Sequence, residues 1–166
     1  MGSERAHVRA AQAGSASDIE ALFRLHWPRA FRAAYLVVHD AAAAEDIAQE
    51  AFLAAIRNLD RFDRGRPFGP WLHRIVVNRA IDWTRARQLR SEAELHDTLP
   101  APDEDGPLDE SLLAALAALP PERRAVIVLR YLLEYTPGEI ADVLGLPRGT
   151  VNSRLRRGLD SLQEQV

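Results

Sequence analysis

The chain has 166 residues, 47% hydrophobic and 27% charged, with a formal net charge of −3, the composition of an ordinary globular protein with room for one medium domain or two small ones. It has no cysteine, which excludes disulfides, Cys-based zinc sites and thiol chemistry, and its five histidines never fall at a ligand-like spacing, so neither a metal nor a cofactor is expected. No apolar run approaches the roughly 20 residues of a membrane span and the amino end lacks the apolar core of a signal peptide, so a cytoplasmic protein without membrane insertion is expected.

The charge is unevenly placed. Arg57 to Arg90 holds nine arginines against Asp60, Asp63 and Asp82, whereas Ser91 to Ser111 holds eight acids and no Lys or Arg. Arg148 to Arg157 then holds four arginines and no acid. Two basic blocks around an acidic spacer suit two surfaces for one polyanion.

In chain order, residues 1–16 are small and polar and read as a flexible start. Ser17-Asp18-Ile19-Glu20 has the form of a capping box. It opens a long amphipathic helix marked by Ile19, Leu22, Phe23, Trp27, Phe31, Tyr35 and Val38. Asp40 can cap a second helix with a stripe of Ile47, Ala51, Phe52, Ala55, Ile56 and Leu59. The loop "DRFDRGRPFG" follows, and Pro70 suits the first position of a third helix carrying Trp71, Leu72, Ile75, Val76, Ala80 and Trp83. Residues 96–110 read as an acidic flexible linker. Beyond it "SLLAALAAL" and "PPERRAVIVLRYLL" are helical, and Thr136-Pro137-Gly138-Glu139 is a second capping box. Gly145 can close that helix in the left-handed conformation, and Pro147 can open the last one. The expected fold is all-α, in two small helical domains, 17–95 and 111–166.

"EIADVLGLPRGTVNSRL" is a helix, a tight glycine turn and a helix, which fits a helix-turn-helix. With Val151 and Leu155 facing inward, Arg148, Thr150, Asn152, Ser153, Arg156 and Arg157 are left for base edges and phosphates. In the other basic block Phe62, Phe68, Trp71 and Trp83 interleave with Arg61, Arg64, Arg66, Arg74 and Arg79. That mixture suits unpaired nucleic acid, and it equally suits aromatics that are plain core. Asp46, Gln49 and Glu50 share one helix face. Spacing alone leaves that face either solvated or docked on a protein.

The stretches "AEDIAQEAFLAAIRNLDRFDRGRPFGPWLHRIVVNRAIDWTR" and "LPPERRAVIVLRYLLEYTPGEIADVLGLPRGTVNSRLRRGLDSL" resemble regions two and four of bacterial sigma factors. The likeness is to the compact extracytoplasmic-function group (group IV) of the sigma-70 family, and covers about residues 17–96 and 110–163. It implies that Asp46, Gln49, Glu50, Phe52 and Ile56 dock on core RNA polymerase. It implies that the Arg61–Gly69 loop captures a flipped base of the −10 element, with Trp71, Arg74, Asn78 and Arg79 along the melted strand and its phosphates. Arg148, Thr150, Asn152, Ser153, Arg156 and Arg157 fall on the −35 recognition helix. An anti-sigma factor is the implied regulator, and the acidic linker is expected near the RNA exit path of the polymerase. Gly158 sits where the family often has alanine and reads as a cost of roughly 0.5–1 kcal/mol in an exposed helix interior.

A dimeric helix-turn-helix regulator would explain residues 136–160 but leave the acidic face and the aromatic–arginine block idle. A protein-interaction module with lapsed DNA surfaces is a second rival, supported only by Gly158. No paired carboxylates in an apolar pocket, Ser/His/Asp set or phosphate loop points to an enzyme.

Overall fold

The structure, a computed structural model, describes residues 2–90 and 109–165, and every regular element among them is helical. Nearly all of the expected linker, 96–110, lies outside the described residues.

The amino-terminal unit consists of α1 (Gly2–Gln12), α2 (Ala16–Val38), α3 (Ala41–Arg57), a 3₁₀ turn (Leu59–Arg61) and α4 (Phe68–Arg90). The expected flexible start is corrected: α1 is a helix seated on α2 by Val8 and Ala11. Its stability is tertiary, since one short apolar face and polar ties to distant residues hold it, and neither is visible as periodicity. The first helix boundary also moves. Ser15, not Ser17, is the N-cap, accepting from the Asp18 N–H at 3.4 Å.

Within α2 an aromatic ladder runs at four-residue spacing, Phe23–Trp27–Phe31–Tyr35, with ring centroids 4.9, 6.0 and 6.4 Å apart. The ladder spans Pro28, which removes one backbone donor from the helix interior. His39 closes α2 in the left-handed conformation, φ 55°, and donates its N–H to Tyr35 O at 2.7 Å. Asp40 then caps α3 as expected, accepting from Ala43 N–H at 3.0 Å. The two helices are thereby joined by a sharp two-residue turn. Helix α4 begins at Phe68, so Pro70 stands in its first turn and not at its first position.

The carboxy-terminal unit holds α5 (Glu110–Ala118), α6 (Pro121–Ile127), a π-helical stretch (Val128–Leu132), α7 (Pro137–Leu144) and α8 (Arg148–Gln165). The capping box is complete: Thr136 Oγ1 accepts from the Glu139 N–H, and Glu139 accepts from the Thr136 N–H at 2.7 Å. Gly145 adopts φ 65°, and Pro147 O accepts the first backbone bonds of α8. The "IVLRYLL" segment departs from a plain α-helix, because its backbone widens to π geometry and carries Tyr135 toward the first unit.

The two units share one continuous core in which Val37, Leu72, Val76, Leu129 and Ile140 are fully buried. Side chains of that size contribute about 1.5–3 kcal/mol each when buried. Polar ties cross the seam as well. Arg124, 4% exposed, donates from Nη1 to Val37 O, and it also holds the end of α5 through Leu116 O, Ala117 O and Leu119 O, each at 2.8 Å. Arg29 donates to Leu132 O at 3.3 Å, His73 Nδ1 lies 2.6 Å from the Tyr135 hydroxyl, and Arg85 Nε donates to Glu122 at 2.7 Å. Burial lowers the Arg124 pKa to about 10, which leaves it charged at neutral pH.

Candidate nucleic-acid and protein-binding surfaces

One face of α3 joins acid to exposed apolar surface. Asp46, Gln49 and Glu50 are exposed, as the i, i+3, i+4 spacing requires. Ile56 is 39% exposed, whereas Phe52 is only 3% exposed and packs inward on Phe23, ring centroids 4.9 Å apart. Phe52 therefore supports this face from below and does not present itself to a partner. The residue sequence reasoning missed is Leu53, 51% exposed, which with Ile56 and Phe23 makes the apolar part. Its signal was the break in the stripe: it stands beside Phe52 but on the neighbouring face of the helix.

The Arg61–Gly69 loop is a rigid aromatic base carrying exposed arginines. Phe62 and Phe68 are buried, with Phe62 4.6 Å and Phe68 5.7 Å from the half-buried Trp71, centroid to centroid. This settles what composition left open: Phe62 and Phe68 are core, while Trp71 is half-buried against it. Arg61, Arg64 and Arg66 stand exposed on the loop, where Asp63 accepts from the Gly65 N–H at 2.8 Å and folds the tip. Along α4, Arg74 is exposed and Asn78 half-buried, one turn apart. Arg79 reaches Glu50 on α3 at 3.1 Å, which ties the loop-side helix to the acidic face. Trp83 is half-buried beneath Arg87, whose guanidinium lies 5.0 Å from the ring centroid.

On α8, Val151 and Leu155 are buried, and Arg148, Asn152, Arg156 and Arg157 are exposed, with Thr150 and Ser153 half-buried. The packed back and polar front of a groove-reading helix are both present. Arg157 also lines a groove of about 330 Å³ at the seam between the units, with Arg85, Glu122, Arg123 and Arg154. The expected exposed site for Gly158 is corrected: it is buried, and a Cβ there would stand 3.2 Å from Ile127 Cδ1. The glycine lets α8 approach α6 closely.

The fold and these surfaces define a two-part helical protein, with a polar-fronted helix-turn-helix in one unit and an aromatic–arginine loop in the other. Residues 22–90 match the family model Sigma-70 region 2, and residues 109–162 match Sigma-70, region 4. The chain is 38% identical over 155 residues to the ECF RNA polymerase sigma factor SigE of Mycolicibacterium smegmatis, covering 87% of this chain and 60% of that one. It is 35% identical over 153 residues to the ECF RNA polymerase sigma factor SigW of Bacillus subtilis, covering 82% of each. Among solved structures, CnrH in complex with the cytosolic domain of CnrY gives a TM-score of 0.73 at 28% identity, over 98% of this chain and 96% of that one. RpoE in complex with the anti-sigma factor NepR from Bartonella quintana gives 0.74 at 25% identity, over 89% and 96%. The chain belongs to the ECF sigma factors of the sigma-70 family.

Proposed function

We propose that this chain binds core RNA polymerase, directs it to promoters and holds them open, acting by binding in the cytoplasm and not as an enzyme. The observation that carries the reading is the α3 face, where Asp46, Gln49 and Glu50 lie beside exposed Leu53 and Ile56. Exposed apolar surface ringed by acids fits a protein partner with a basic rim. Family membership makes that partner the polymerase.

The domain roles follow: 17–95 for polymerase and the −10 element, 96–110 as linker, 111–166 for the −35 element. Arg61, Arg64 and Arg66 follow the single-stranded −10 backbone, and a base stacks on the half-exposed Trp71 beside Phe62 and Phe68. Arg74, Asn78 and Arg79 line the same strand. Arg148 and Arg156 hold phosphates in the −35 major groove while Thr150, Asn152 and Ser153 meet base edges. Arg157 serves duplex DNA once it leaves the seam groove.

That departure is required by distance. Elements about 25 base pairs apart are separated by roughly 85 Å of duplex at 3.4 Å per pair, whereas here Arg85 of α4 and Arg157 of α8 line one groove. The closed arrangement is thus a resting form, and promoter binding separates the units. An anti-sigma factor that covers the α3 face or holds the seam shut would keep the chain inactive. The likeness to RpoE in its complex with the anti-sigma factor NepR supports that regulator.

Equilibrium binding to purified bacterial core polymerase tests the reading, wild type against Asp46→Arg/Leu53→Asp. Tight wild-type binding lost by at least about a hundredfold in the variant, as removal of a hot-spot anchor and reversal of a charge require, supports it. Wild-type protein that does not bind core polymerase sinks it.

A further inference from the structure

Helix α1 lies ahead of the segment matched by the family model, which begins at residue 22. It is folded back on α2 through the Ala13–Gly14 turn, where His7 Nδ1 lies 2.7 Å from Asp18 Oδ1, and its two longer ties, from Gln12 and Glu4, both lead toward one loop. At its carboxyl end, Gln12 Nε2 donates to Leu59 O at 2.8 Å and to Phe62 O at 3.1 Å, across 47 and 50 residues of sequence. An amide nitrogen has two N–H donors, so a single side chain fixes both carbonyls where the 3₁₀ turn runs into the loop. At its amino end, Glu4 Oε1 lies 2.7 Å from His26 Nε2, with both side chains mostly buried. His26 in turn packs on Phe68, ring centroids 5.1 Å apart, and stands 3.4 Å from where a Cβ on Gly69 would be. Phe68 and Gly69 are the far end of the same loop. Between these two points Val8 and Ala11 seat the helix in the core.

We propose that α1 is a two-point clamp that sets the shape of the Arg61–Gly69 loop, with Gln12 as the positioning residue at one end and Glu4, through His26, at the other. This rests on the reading of that loop as the −10 base-capturing element. A loop that must accept an unstacked base gains affinity when its shape is fixed beforehand, because ordering is not then charged against binding. Holding both ends from one helix leaves the exposed tip, Asp63 to Arg66, as the part of the loop without a tie to α1. Gln12 touches no DNA: it acts on Trp71 and the loop arginines through the backbone of Leu59 and Phe62.

The test uses the full chain bound to core polymerase. The probes are 12-nucleotide single strands selected by the wild-type holoenzyme from a random pool, together with all four bases at the most discriminated position. Gln12→Leu keeps the volume and removes the donors. It is expected to weaken single-strand binding about tenfold and flatten the preference among the four bases, with affinity for core polymerase and for duplex −35 DNA unchanged. Gln12→Lys, which still donates to carbonyls, is expected to restore both affinity and preference, an outcome a general loss of stability would not give. Glu4→Ala is expected to act in the same direction as Gln12→Leu.

Wild-type affinity and base preference in a Gln12→Leu protein that is folded by circular dichroism would overturn the clamp. So would a Gln12→Lys protein as defective as Gln12→Leu. If Arg64→Ala/Arg66→Ala weakens single-strand binding while Gln12→Leu does not, the clamp alone fails. If neither changes it, the −10 reading of the loop fails and the clamp with it.

Discussion

Replacing Arg124 with methionine removes a guanidinium from the junction of α2, α5 and α6 while keeping most of its volume. Four carbonyl oxygens, of Leu116, Ala117, Leu119 and Val37, lose the guanidinium, and Leu116 O alone keeps a second donor, the Leu119 N–H at 3.1 Å. Ala117 is exposed and its carbonyl can take water, but Val37 and Leu119 are buried, so those two oxygens are left without a donor. An unsatisfied buried acceptor costs at least about 1 kcal/mol. A cation at the carboxyl end of α5 adds about 0.5–1 kcal/mol. Against this stands the desolvation that lowers the Arg124 pKa to about 10, a cost the methionine does not carry. With two such acceptors at about 1–3 kcal/mol each and the desolvation set against them, the expected net loss is about 2 kcal/mol, read as a fall in the urea midpoint at unchanged slope. Because one of the four bonds crosses to α2, fluorescent labels on α3 and α8 should also move apart in the variant before the main unfolding transition. A loss below about 1 kcal/mol, with the label distance unchanged, would refute the assignment of Arg124 as the polar tie of the seam.

Acid should loosen the same seam. Burial first, then the charges of His26 and Arg29, hold the His73 pKa down to about 3 from an ordinary 6.5. The folded state therefore binds fewer protons than the unfolded one between those values. Stability from this residue is complete above pH 6.5 and falls as the pH drops toward 3, by about 2 kcal/mol at pH 5. Urea melts at pH 7.5 and 5 should show that loss in wild type and its absence in His73→Gln, beyond the loss common to both. Gly158→Ala should destabilise by about 1 kcal/mol despite the better helix propensity of alanine, since its Cβ would press within 3.2 Å of Ile127. A higher melting temperature would show that Ile127 gives way freely. Thr136→Ala should cost about 1 kcal/mol by removing half of the capping box, with a matching loss of duplex DNA affinity and none of core polymerase affinity.

The helix-turn-helix was legible because its signals are local. Thr136 with Glu139, Gly145 and the Val151–Leu155 pair each act within a turn or two of chain, and all appear as read. Helix α1 was not, because its ties are Gln12 to residues 47 and 50 positions away and Glu4 to His26. A short polar segment with distant partners looks the same in sequence as one with none. Arg124 reads as a solvated charge beside Arg123, and only the meeting of α2 with the end of α5 makes it a buried tie. Phe52 and Leu53 are adjacent apolar residues, and a shift of one position on the helix decides which is core and which is surface. The π-helical stretch left no trace in the residue pattern, and the environment of Gly158 depends on α6, more than 30 residues earlier.

The proposed function is to confer promoter choice on core polymerase. The direct measurement is transcription in vitro by bacterial core polymerase on a library of genomic fragments, with and without the protein, mapping every 5′ end. Promoter choice requires discrete start sites that appear only with the protein, share an upstream element, and disappear with Arg148→Ala/Arg156→Ala while core binding persists. Start sites identical with and without the protein, together with palindromic duplex binding by the free chain, would contradict it and leave an independent helix-turn-helix regulator.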